Sequence, residues 1–134
     1  MPVITPAGQP GSASNWFETA AGRAVLDSER ALVSEVLGSH PGLPWLWLAP
    51  AVPSTPASGR GLCLVRRGDT LRGAVRCGTP LPLPSEAFGA VVLQHVIGGR
   101  EDGLGLLEEA ARVLSPGGRL WLLVLNPLTP YRWR

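Results

Sequence analysis

The chain has 134 residues, 45% of them apolar and 16% charged, with a net charge of +2. That length fits one domain with a single core rather than two, and the composition excludes global disorder. A charge this close to balance marks no nucleic acid or acidic partner, and the basic set consists entirely of arginine.

Residues 1–14, rich in Pro, Gly and Ser, read as a flexible tail ahead of a single α/β domain over 15–134. The start lacks the basic head and apolar middle of a secretory leader. The longest apolar runs, Leu43–Val52 and Leu120–Leu125, are too short to cross a bilayer. The expected location is the cytoplasm, with no membrane partner. Cys63 and Cys77 form no disulfide framework, and the two histidines have no zinc spacing, so no metal site is expected.

In chain order, Asn15 followed by Glu18 has the form of a capping box and predicts a helix from Asn15. Val25, Leu32 and Val36 form one apolar stripe of that helix and Leu26, Val33 and Leu37 the next. Asp27, Glu29, Arg30 and Glu35 interrupt them, and Gly38 with Pro41 closes the helix. Pro44–Pro50, apolar at both parities, predicts a strand buried on two faces. A Pro- and Ser-rich loop follows it.

The runs 61–67 and 71–77 predict a hairpin turning at Gly68-Asp69, where Gly supplies the positive φ of a tight turn. In that register Cys63 lies opposite Ala74, not Cys77, which argues against a disulfide. A second Pro-rich loop precedes Gly89–Ile97, a β-branched run suited to an interior strand. Glu101 and Asp102 favour a helix amino end, and Leu104, Leu107, Ala111 and Leu114 trace an expected buried face. Pro116-Gly117-Gly118 is expected to stop that helix, and Arg119–Asn126 to form a final strand buried on both faces. Strand, helix, strand in this order is a βαβ unit, which implies a parallel sheet covered by helices.

The stretch LPLPSEAFGAVVLQHVI, continued by LLEEAARVLSPGGRLWLLVLNP, resembles the back half of the class I S-adenosylmethionine-dependent methyltransferase core, of the type 11 kind. The resemblance covers about Thr79–Pro127, and the segment WFETAAGRAVLDSERALVSEVL is similar to the leading helix of a divergent methyltransferase-like group. It implies a Rossmann-like fold: a mostly parallel sheet of about five strands with helices packed on it, lacking the last strands of the family core. It also implies S-adenosyl-L-methionine as cofactor and methyl transfer to an unknown acceptor.

Carried onto this sequence, the family's cofactor positions are Ala49 and Pro50 after the first strand, Asp69 near the second, Thr79 and Leu81 before the fourth, and Gln94 at its end. His95 is the candidate general base, since an imidazole titrates near neutrality. Three of these positions depart from the family pattern. The loop after PWLWL has no acidic residue and no closely spaced glycines, and its prolines remove donor amides. The second strand ends in Arg66 and Arg67, leaving Asp69, a turn residue, as the nearby carboxylate. Thr79 stands where the family has an Asp.

Two functions therefore remain open: a methyltransferase, or a catalytically inactive methyltransferase-like module. The second would dimerise or bind a protein through the apolar edge that the last strand presents. An arginine hairpin contacting nucleic acid through Arg60, Arg66, Arg67, Arg72 and Arg76, with the aromatic tail YRWR, ranks behind both.

Overall fold

The computed structural model describes residues 16–55, 57–67, 70–73, 76–77, 80–97 and 103–124. Its first helix, α1, spans Ala20–Leu37. Thr19 caps it with an extended backbone and a side-chain oxygen that accepts from the Gly22 amide at 3.2 Å. This helix begins at Ala20, and the expected start at Asn15 lies outside the described residues. The entering chain packs closely on the helix: a Cβ at Gly22 would lie 2.3 Å from the Trp16 carbonyl oxygen, so residues 16–19 fold against the first turn. Val25, Val33, Val36 and Leu37 are buried on the expected stripes, and Gly38 forms the C-cap.

Six strands follow among the described residues: β1 Trp45–Ala49, β2 Gly61–Arg67, β3 Thr70–Arg72, β4 Arg76–Cys77, β5 Phe88–Gln94 and β6 Leu114–Leu123. A second helix, α2, spans Gly103–Val113 between β5 and β6. The sheet order is β4-β3-β2-β1-β5-β6, parallel from β2 through β6 and antiparallel where β3 and β4 are added. This is the mostly parallel, Rossmann-like α/β architecture expected from the sequence.

The apolar character of β1 and β5 at both parities has its cause in the two layers that cover them. Leu46, Leu48, Val91 and Leu93 pack with Leu106, Ala110 and Val113 of α2 on one face. Trp45, Trp47, Ala90 and Val92 meet Val33, Val36 and Leu37 of α1 on the other. Every residue of both strands is buried.

The hairpin forms with Arg67 opposite Thr70, Arg66 opposite Leu71 and Val65 opposite Arg72, which is the two-residue register read from Gly68-Asp69. Its return arm is shorter than 71–77: β3 stops at Arg72, and β4 pairs back onto it. Gly73 sits at the break, where a Cβ would come within 2.3 Å of the Cys63 carbonyl oxygen. Contact this close lets only a glycine continue the chain there.

Three further differences concern the βαβ unit. Its first strand, β5, ends at Gln94 rather than Ile97, because the backbone turns at His95 with φ 55°. The buried face of α2 is Gly103, Leu106, Ala110 and Val113, one residue off the expected Leu104, Leu107, Ala111 and Leu114; Leu104 is 69% exposed. Ala110 packs in the core under the sheet and Gly103 lies close against Ile97 just beyond β5, small-residue contacts that a leucine-only reading of the pattern misses.

The last strand starts at Leu114, before the Pro-Gly-Gly turn. Phe88 pairs with Leu114 and Ala90 with Arg119, so Ser115–Gly118 bulges out of the ladder around Gly117 at φ 81°. The helix therefore ends ahead of Pro116. The strand is also not buried on two faces: Trp121 and Leu122 are 37% and 42% exposed, because no element covers its outer side among the described residues.

Candidate functional site

In an open α/β sheet a ligand site lies beyond the carboxyl ends of the strands, where the strand order reverses. From β1 the chain moves outward to β2 and β3 and then returns to β5 on the other side. The switch point is therefore the end of β1 and β5, at Ala49 and Gln94.

A connected polar network fills this position. The indole Nε1 of Trp47 donates to Gln94 Oε1 at 3.0 Å, and Gln94 Nε2 donates to Glu29 Oε1 at 2.9 Å. His95 Nε2 lies 3.0 and 2.9 Å from the two Glu29 oxygens. An ionised carboxylate only accepts, so Nε2 carries the proton and donates. The His95 side chain is 3% exposed and that of Glu29 19%, so the pair is largely withdrawn from water. The His95 Nδ1 atom is buried without a hydrogen-bond partner among the described residues. Phe17 stacks on the imidazole, with ring centroids 4.9 Å apart and planes inclined by 22°.

The end of β2 adds a buried cation. Arg66 is 5% exposed, and its Nη1 donates to the Val96 carbonyl at 3.2 Å. Its neighbour Arg67 pairs with Glu18 at 3.2 Å. Two arginines thus stand where a ribose-binding carboxylate is expected.

Of the sequence-derived positions, Ala49, Pro50, Gln94 and His95 come together at the switch point, where Ala49, Pro50 and Gln94 are buried. Leu81 is elsewhere, in the core on the α2 side. Its amide donates to Glu109 Oε1 at 2.8 Å and its carbonyl accepts from Arg112 Nη2 at 3.0 Å, so the loop is clamped to α2. The Arg112 guanidinium holds the Glu109 carboxyl below its ordinary value, assisted by the Leu81 amide. Asp69 and Thr79 lie outside the described residues.

Glu29, Phe17 and Arg66 were not legible as site residues from motifs. Glu29 did carry a signal: it lies four residues from Val25 and from Val33, both buried, so its carboxylate falls on the buried stripe and requires a partner.

The cavity beside the network, lined by Arg23, Asp27, Arg30, Trp47, Pro53 and Gln94 among others, measures about 30 Å³. That is room for about one water molecule, whereas sites for cofactor-sized ligands span roughly 300–1,000 Å³. The self-bonded network and the small cavity beside it do not fit S-adenosylmethionine, and Arg66 and Arg67 stand where the acid is expected.

Fold and site together define a Rossmann-like α/β protein whose switch point is packed with its own side chains. Residues 63–122, a little under half of the chain, match the family model described as a methyltransferase domain. The match bears out the class I methyltransferase resemblance over that stretch, from within β2 to within β6. No curated protein and no solved structure shows significant similarity to the chain. No helix among the described residues is long and apolar enough to cross a membrane.

Proposed function

We propose that the protein is a methyltransferase-like module that acts by binding a partner and not by methyl transfer. The observation that carries this reading is the closed switch point, where Trp47, Gln94, Glu29 and His95 bond to one another across the position a cofactor would take. Such a network must be dismantled before a ligand can enter, which costs its hydrogen bonds. The surface assigned to the partner, a second copy or another protein, is the β6 edge. It exposes Trp121, Leu122 and Val124 and has no strand paired to its outer side among the described residues, and a strand edge left open recruits another strand. The reading keeps the cytoplasmic placement expected from the sequence.

The test is calorimetric titration of the folded chain with S-adenosylhomocysteine into the millimolar range. No heat is expected; saturable heat overturns the reading. Light scattering checks the edge, with self-association or a stable complex expected and a strictly monomeric, partnerless species counting against it.

A second reading is methyl transfer from S-adenosylmethionine to an unknown acceptor. It is favoured by the match over residues 63–122, since that family generally binds this cofactor. His95 would then be the general base and Glu29 the group that holds its ring. The same titration separates the two.

A further inference from the structure

The crossover from β1 to β2, Pro50–Arg60, contains no helix among its described residues, although parallel crossovers usually carry one. The sheet face beside it is therefore incompletely covered, and a groove of about 500 Å³ opens there. Its floor is Cys63 and Val65, one wall is Val52 and Pro53 of the crossover, and its rim is Arg67, Arg72 and Gly73. The hairpin register accounts for the two arginines. Residues 63, 65 and 67 share one face of β2, and Arg72 stands opposite Val65, so both cations rise beside the same apolar floor.

The available charge is unequal between the two. Arg67 gives Nη2 to Glu18 and Nη1 to the Arg66 carbonyl, whereas Arg72 is exposed and has no partner among the described residues. Burial pushes the Cys63 thiol up to about 11, so at neutral pH it is a protonated, apolar floor group.

We propose that this groove is a binding site for a small anionic ligand, a carboxylate or phosphate head on a compact apolar body. The head is held between Arg72 and Arg67, and the body lies on Val65 and Cys63 against Pro53. Charge and size both select this occupant. Guanidinium groups pair with carboxylate and phosphate oxygens, and the volume falls in the range of small-molecule sites. A partner helix would need a contact of roughly 800 Å² per side, far more than this handful of floor residues offers. Glu18 is the internal competitor, since its carboxylate occupies the Arg67 nitrogen that a ligand head would use.

The experiment is a titration of the full ¹⁵N-labelled chain with phenyl phosphate and, separately, benzoate, followed through the amides of Val65, Arg72 and Gly73. Saturable shifts at these amides are expected. Affinity should fall about fivefold in Arg72→Ala and rise in Glu18→Gln, which removes the competing charge. Both substitutions are at exposed positions, and unchanged spectra away from the groove establish that the variants fold. Phenol, which has the ring without the charge, should not saturate.

The proposal is overturned if phenol binds as well as phenyl phosphate, if Arg72→Ala leaves affinity unchanged, or if only a glutamate-rich peptide shifts these amides. Binding here is distinct from the closed-site reading. S-adenosylhomocysteine entering the switch point would instead move Trp47 and Gln94, so either idea can fail alone.

Discussion

The β5–α2–β6 unit and the strand ends around Ala49 and Gln94 lie in one sheet but carry different kinds of information. In the first, fully buried residues such as Val91, Leu93, Leu106 and Val113 interlock strand and helix, and all but the last residue of this unit lies within the family match. In the second, arginine, proline and a self-bonded Glu29–His95–Gln94–Trp47 network stand where the family resemblance implies acidic and glycine-rich groups. Packing needs only apolar residues of suitable volume at the right period, whereas a ligand site needs particular donors at particular atoms. The same sheet can therefore be specified by packing whether or not its strand ends carry a ligand's donors.

The sharpest way to break this contrast is to remove packing from its centre. Leu93→Ala, at a side chain with no exposure, should cost about 3–5 kcal/mol in urea denaturation. Leu122→Ala on the 42%-exposed edge of the same sheet should cost less than about 1 kcal/mol. Equal losses would mean that β6 is as central to the scaffold as β5.

The next test asks which region the polar network belongs to. If it is structural, Glu29→Ala strands the His95 and Gln94 donors and should cost about 2 kcal/mol. Glu29→Gln should recover part of that loss by keeping one acceptor. A functional site is often destabilising, and its removal then stabilises the fold. A Glu29→Ala variant more stable than the parent would return the switch point to the enzyme reading.

How much of this was readable from the chain follows the same division. The double-faced burial of β1 and β5 and the Gly68-Asp69 hairpin register were legible, because each follows from local pattern or turn chemistry. The closure of the switch point was not, because it depends on Glu29 meeting His95 across 66 positions of sequence, and no local pattern carries that pairing. The cap of the helix at Ala20 was hidden for a related reason: Thr19 becomes its N-cap where Trp16 and Phe17 pack back against Gly22. Tertiary contact decided the boundary.

A smaller effect is expected where the two regions do not meet, at the clamp between α2 and the Leu81 loop. The folded Glu109 carboxyl sits below its ordinary value of 4.5, so its contribution is fully present above that pH and is lost as pH falls through the lower folded value. Glu109→Gln should therefore lower the urea midpoint at neutral pH, and the gap from the parent should close on the acid side of 4.5. A gap that persists unchanged in acid would show that the clamp works through shape and not through charge.

The smallest expected effect is the most exacting test of the helix phase. A leucine pattern alone assigns Leu104 to the core, yet it is 69% exposed, while Leu106 two positions later is 1% exposed. Successive helix residues are about 100° apart, so a one-residue error moves a side chain from the sheet to its flank. Here the buried Ala110 and Leu106 set the sheet-facing side, and Gly103 fits closely against Ile97 beyond β5, where a Cβ would lie 3.0 Å from its side chain. Leu104→Ser should accordingly change stability by no more than about 0.5 kcal/mol, whereas Leu106→Ala should cost about 2–5 kcal/mol. If the two costs were reversed in urea denaturation, the helix would be rotated toward the leucine-only phase. The close approach of Ala110 to the sheet, on which the packing of the βαβ unit depends, would then be lost.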